Sequence, residues 1–138
     1  MSIQKLGSEN AWTAYDFDPD ATTLTAVGWV DMRDYENILI KVQKTVGTSA
    51  VVFKVYADSD SAGGGTPVLL ATSSSDPAAV GDYAFLEVNA EQIAAAGADY
   101  RYVSAYVSVA TGTDEMTVDY LRGNAKRKAE NLCVDSIA

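Results

Sequence analysis

A chain of 138 residues with 48% apolar and 21% charged side chains is long enough to close one hydrophobic core and reads as one domain. The net charge of −9 is unevenly placed: residues 1–121 hold 6 Lys/Arg and 17 Asp/Glu, net −11, and residues 122–138 carry +2. An acidic body argues against nucleic acid, and the lack of a long apolar run or of an N-terminal apolar region argues against a membrane span, anchor or secretory signal.

Residues 1–11 carry no periodic signal and read as an arm or a loosely packed first strand. Residues 12–17 alternate well enough for a short strand, and Asp16 to Asp20, with Pro19, form a turn. Residues 22–32 are extended again, with Leu24, Ala26 and Val30 expected to be buried and Trp29 as a large anchor beside them. The stretch 37–58 organises the rest. Ile38, Ile40 and Val42 alternate with Leu39, Lys41 and Gln43; then Val51, Phe53 and Val55 alternate with Val52, Lys54 and Tyr56. A side-chain period of two, broken at Val46-Gly47-Thr48-Ser49, predicts a β-hairpin that other strands must cover.

Downstream, Asp58 to Pro67 contains three consecutive glycines and predicts an exposed, mobile loop. Residues 68–72 and 83–88 read as strands separated by the loop Ser73 to Pro77. One short helix is expected over AEQIAAA: Asn89 caps it, Gln92 completes a capping box, Gly97 ends it, and Ile93 packs it as a lid. Residues 100–109 give the clearest strand, with Val103, Ala105, Val107 and Val109 inward and Tyr100, Tyr102, Ser104, Tyr106 and Ser108 outward. Met116, Val118 and Tyr120 form the inward set of a last strand, opposed by Thr117, Asp119 and Leu121. Eight strand candidates predict an all-β, two-sheet antiparallel β-sandwich, jelly-roll or immunoglobulin-like, with one short helix and extended N- and C-terminal arms. Residues 1–123 make that domain, and 124–138 a basic tail that reads as a short helix or an arm ordered by a partner.

Catalytic and metal motifs are missing. With no histidine, Ser-His-Asp and Cys-His catalysis and His-based metal sites are excluded. The single cysteine, Cys133, rules out an intrachain disulfide and reads as a small apolar contact. Asp16, Asp18 and Asp20 resemble the start of a calcium loop, but Ala21 stands where glycine is required and Val27 where glutamate is required. Asp58 and Asp60 are no better placed. Asp114 and Glu115 fall at a turn, where carboxylates are usually solvated. No enzyme activity and no cofactor are therefore expected. The outward Tyr100, Tyr102 and Tyr106 offer three readings: sugar stacking, a subunit interface, or a second packed face.

The run from Val27 through Val42 (VGWVDMRDYENILIKV), the polar Ser/Asp/Gly loop, and RYVSAYV over 101–107 resemble small β-sandwich structural proteins of tailed bacteriophages, many of them head decoration (cement) or other head-associated proteins. The resemblance covers about residues 27–123. It implies a virion component made in the bacterial cytoplasm and displayed on the capsid surface. Its partners would be the major capsid protein or other virion proteins, and it would assemble as a homo-oligomer, with a trimer favoured. Arg122, Lys126, Arg127 and Lys128, with the three tyrosines, are the expected contact residues. A tail or baseplate protein and a carbohydrate-binding module are the alternatives.

Overall fold

The computed structural model describes residues 11–17, 23–110 and 113–125. Eight strands are present: β1 (Ala11–Phe17), β2 (Thr25–Asp31), β3 (Tyr35–Val46), β4 (Val51–Asp58), β5 (Val68–Thr72), β6 (Tyr83–Asn89), β7 (Tyr102–Val109) and β8 (Glu115–Ala125). Among the described residues one helix, α1 (Ala90–Ala96), is present, and it follows β6. The strands form two four-stranded antiparallel sheets, ordered β1-β8-β3-β6 and β2-β7-β4-β5. Among the described strands, β4 and β5 alone are both consecutive and paired; every other connection crosses between sheets. That order is the jelly roll, and it settles the choice left open between jelly roll and immunoglobulin-like sandwich.

The core is what the alternation predicts. Ile38, Ile40 and Val42 from the first sheet face Val51, Phe53, Val55, Val103, Ala105 and Val107 from the second, and all are fully buried. Burying side chains of this size stabilises by about 1.5–3 kcal/mol each, which makes the two inner faces the main source of stability. Helix α1 closes one end beside β5, β6 and β3. Its capping box forms as expected, with the Asn89 side chain accepting from Gln92 N and the Gln92 side chain from Asn89 N, both at 2.9 Å, and Ile93 is buried.

Two expectations need correction. The stretch 37–58 is not a hairpin: β3 and β4 have the predicted inward residues but belong to opposite sheets. In a hairpin those residues would share one face; here they face each other across the core. Alternation is the same in both cases, so periodicity cannot distinguish them. Both sides of β3 are occupied, by β8 and β6, which leaves no edge for β4. In β2, Val27 and Val30 are buried while Ala26 is only half-buried. The register against β7 shifts between Val27 and Val30, where Gly28 adopts φ +69°. A bulge with glycine in the left-handed region inserts one residue and lets positions three apart face inward.

Three polar ties brace the framework. Tyr120, on β8, crosses the core to the bulge: its hydroxyl donates to Val27 O at 2.5 Å and accepts from Ala105 N at 2.8 Å. It thus satisfies a donor and an acceptor left open where the β2–β7 ladder is interrupted. The second tie corrects the reading of Asp114 as a solvated turn residue. Asp114 is buried and ion-paired with the buried Lys44, whose ammonium also donates to Ser49 O at 2.6 Å, while Ser49 N donates to Asp114 at 2.8 Å. Gly47, at φ +95°, gives the carboxylate room, since a Cβ there would lie 1.9 Å from Asp114 Oδ1. The pair links the β3–β4 crossing to the start of β8. Third, the glycine-rich loop is tied internally by the buried Asp58, whose carboxylate accepts from the backbone N of Ser59, Asp60 and Gly65 at 2.6, 3.2 and 3.1 Å.

Candidate interaction surfaces

The residues singled out in sequence divide between two places. Arg122 and Tyr102 come to one end of the sandwich, around Asp31. Arg122 continues the inward series of β8, but at the end of the sandwich, so its Nη1 reaches the other sheet and donates to Asp31 O at 2.8 Å. Arg101 donates through Nη2 to the Asp31 carboxylate at 2.9 Å. Each guanidinium also lies over an aromatic ring 4.9 Å from its centroid, Arg101 over Tyr102 and Arg122 over Tyr35. The Nε atoms of both arginines are buried without a hydrogen-bond partner among the described residues. Lys126, Arg127, Lys128 and Cys133 lie outside the described residues, as do Asp18 and Asp20. β8 runs on to Ala125, so strand pairing with Tyr35 continues into the segment read as tail.

Tyr106 and Tyr100 are elsewhere and are not open platforms. Tyr106 is half-buried on the outer face of the second sheet. It packs edge-on to Trp29 (5.9 Å between centroids) and tilted against Tyr56 (4.4 Å). Burial, with the nearby Asp58 carboxylate and Tyr56 adding to it, pushes the Tyr106 phenol above its ordinary pKa. The glycine-rich loop folds over this cluster: at Gly63, φ +75°, a Cβ would meet the Trp29 indole at 2.7 Å. Tyr100 precedes β7 rather than lying on it; its hydroxyl donates to Thr66 O at 2.5 Å and its ring packs on the core. Tyr100 and Tyr106 are thus both half-buried against other residues of the chain.

The exposed aromatic side chains are on the other sheet, and sequence reasoning did not assemble them into one face. Trp12 (72% exposed), Tyr83 (56%), Phe85 (49%) and Leu121 (43%) all project from the outer face of β1-β8-β3-β6. Register puts Trp12 beside Leu121 and Leu121 beside Leu39 in one row, with Glu87 at its far end. The next row reads Ala14, Asp119, Lys41, Phe85. Between the rows runs a shallow groove of about 260 Å³ lined by Trp12, Leu39, Lys41, Phe85, Asp119 and Leu121. Leu39 and Leu121 were recognisable as outward residues, but only the strand order makes them neighbours.

No family model matches the sequence, and no curated protein does. Among solved structures, the chain is similar to the SPBc2 prophage-derived protein YomS, at 18% identity and a TM-score of 0.48 over 82% of this chain and 93% of that one. It is also similar to a protein from a structure of Bacillus endospore appendages, which form disulfide-linked pili, at 14% identity and a TM-score of 0.47 over 83% of this chain and 86% of that one. Likeness at this level does not carry a function from one protein to another. Among the described residues no group of three or more His, Cys, Asp or Glu is placed to hold a metal ion, and no helix is long and apolar enough to cross a membrane.

Proposed function

We propose that this chain is a non-enzymatic structural protein of a bacteriophage virion, and specifically a capsid decoration protein that binds the major capsid protein and stabilises the head. One observation carries the reading: the buried polar side chains join parts of the framework, while the exposed aromatic side chains Trp12, Tyr83 and Phe85 lie with Leu121 on one sheet face. Lys44, Asp114, Asp58 and Tyr120 bridge strands or loops, and Ser104 donates to Ala105 O. A catalyst or small-molecule binder keeps convergent polar groups pointing into a concavity. Here the free surface suits contact with other proteins. The sequence resemblance to phage head proteins adds to this, and the basic side chains Arg122, Lys126, Arg127 and Lys128 suit acidic patches on a particle.

Co-sedimentation of the purified chain with undecorated capsids tests the proposal. Binding, with increased resistance of the heads to heat, is the expected result, and removal of residues 126–138 weakens it. Labelling confined to phage tails, or undiminished capsid binding by the truncated chain, would refute the decoration role or the role of the basic segment respectively.

A further inference from the structure

We infer that the outer face of the β1-β8-β3-β6 sheet is the interface of a two-fold dimer of this chain. The inference rests on the sheet register and does not depend on the virion reading. Trp12, Tyr83, Phe85 and Leu121 together expose roughly 400–500 Å² on one face, as much as the largest patch of a typical monomer. A stable interface covers about 800 Å² per partner, with an apolar centre and a polar rim. The patch has the size of such a centre.

The charges on the face choose the occupant. Lys41 and Asp119 are cross-strand neighbours on β3 and β8. No ion pair joins them among the described residues; Lys41 instead lies over the Tyr83 ring, 5.2 Å from its centroid. Consider a second copy turned over by a two-fold axis running along the seam between β8 and β3. The rotation exchanges the two strands and keeps each residue in its row. Lys41 of each copy then lies over Asp119 of the other, giving two reciprocal ion pairs. Leu121 meets Leu39 twice in the neighbouring row. Phe85 comes over Ala14, a small residue, and Trp12 over Glu87, whose carboxylate can accept from the indole N–H. The face is therefore complementary to itself, as an isologous interface requires. A three-fold arrangement, which the sequence resemblance favoured, does not bring one face onto itself.

Sedimentation velocity of the full chain over a concentration series, with two charge-reversal variants, tests this. The wild type is expected to sediment as a dimer. Lys41→Asp sets Asp against Asp and Asp119→Lys sets Lys against Lys, so each variant alone should dissociate at least about 100-fold more readily, because the change enters the interface twice. Mixing the two variants restores both pairs, and a heterodimer should form. Trp12→Ala, at an exposed position, gives a second perturbation with no charge change and should also weaken the dimer. Circular dichroism of each variant confirms that it remains folded. A monomer at all concentrations, a trimer, dimers indifferent to these substitutions, or variants that fail to associate when mixed would each overturn the two-fold assignment. A monomer whose tryptophan fluorescence is protected from quenching would place a segment of the same chain on the face, with the same consequence.

Discussion

Replacing Tyr120 by phenylalanine tests whether the fold depends on its inter-sheet tie. The ring is fully buried, and its hydroxyl serves both Val27 O and Ala105 N at the β2 bulge. Phenylalanine keeps the ring packing, including the edge-on contact with Tyr15 at 5.8 Å, and removes only the oxygen. Each buried group left unpaired costs about 1–3 kcal/mol, so the variant should lose roughly 2–5 kcal/mol at neutral pH. For a chain of this size that is a fall in melting temperature of about 6–20 °C. The pH dependence gives a second, independent reading. Burial pushes the Tyr120 phenol from 10.0 to about 12, against smaller opposing effects of its hydrogen bonds. The folded pKa is raised, so the folded state favours the neutral phenol. This contribution is complete below pH 10 and is lost as pH rises toward 12, and a shift of this size is worth about 2–3 kcal/mol. The gap in melting temperature between wild type and Tyr120→Phe should therefore narrow between pH 10 and 12. Thermal unfolding followed by circular dichroism, at one fixed protein concentration, measures both effects. A variant that melts within about 2 °C of the wild type at neutral pH would refute the tie, because even one orphaned group predicts more. A gap that does not change with pH would refute the titration argument.

Three further substitutions probe other joints of the fold. Asp114→Asn leaves the buried Lys44 ammonium without its counter-charge and should lower the denaturant midpoint at neutral pH. The Lys44 hydrogen bond, helped by Ser49 N–H and opposed by burial, holds the Asp114 carboxyl below 3.8, so its contribution is present above that pH and is lost as pH falls through the folded value. The deficit of Asp114→Asn should accordingly shrink in acid, and a deficit constant down to the acid transition would contradict this. Gly28→Ala combines a φ of +69° with a Cβ only 2.5 Å from the Tyr15 ring; a loss of about 1–3 kcal/mol is expected in urea unfolding, and an unchanged midpoint would show that the bulge relaxes freely. Asn89→Ala removes the side-chain acceptor of the capping box and should cost about 1 kcal/mol, with hydrogen exchange rising first in α1.

What sequence could show was set by period, and what it missed was set by pairing. Ile38, Ile40, Val42, Val51, Phe53 and Val55 were legible as core because the face of a strand follows from alternation alone. The capping box was legible because its residues are local. The partner of β3 was not legible, since alternating strands pair equally well with any neighbour of matching face. The bulge at Gly28 escaped for a different reason: it changes the phase of burial by one residue and leaves no compositional sign beyond a single glycine. Lys44 and Asp114 are 70 residues apart in sequence, and only the pairing of β3 with β8 in one sheet brings them together. The exposed face failed in the same way. Its members sit on β1, β3, β6 and β8, each unremarkable in its own strand, and they form a patch only through the order β1-β8-β3-β6.

The two outer faces of the sandwich are unequal, and that inequality gives the molecule a direction. On the second sheet the Asp58-tied loop lies over Trp29 beside Tyr106 and Tyr56, so its aromatic groups are already covered. On the first sheet, Trp12, Phe85 and Leu121 are left open. A two-fold axis along the β8–β3 seam keeps residues in their rows, so it also keeps the ends of the sandwich together. Both copies then carry Arg122, and the point where the chain leaves β8 at Ala125, at the same end of the dimer. The proposed attachment through the basic residues would then be bivalent, and bivalent attachment can exceed the affinity of either site by about 10²–10⁴-fold. Lys41→Asp, which lies on the sheet face and away from that end, should therefore weaken binding to a capsid while leaving the attachment residues intact. Binding restored by adding the Asp119→Lys chain would tie particle affinity to dimer formation. Capsid affinity unaffected by Lys41→Asp, in a variant shown to be monomeric, would show that each copy holds the particle alone.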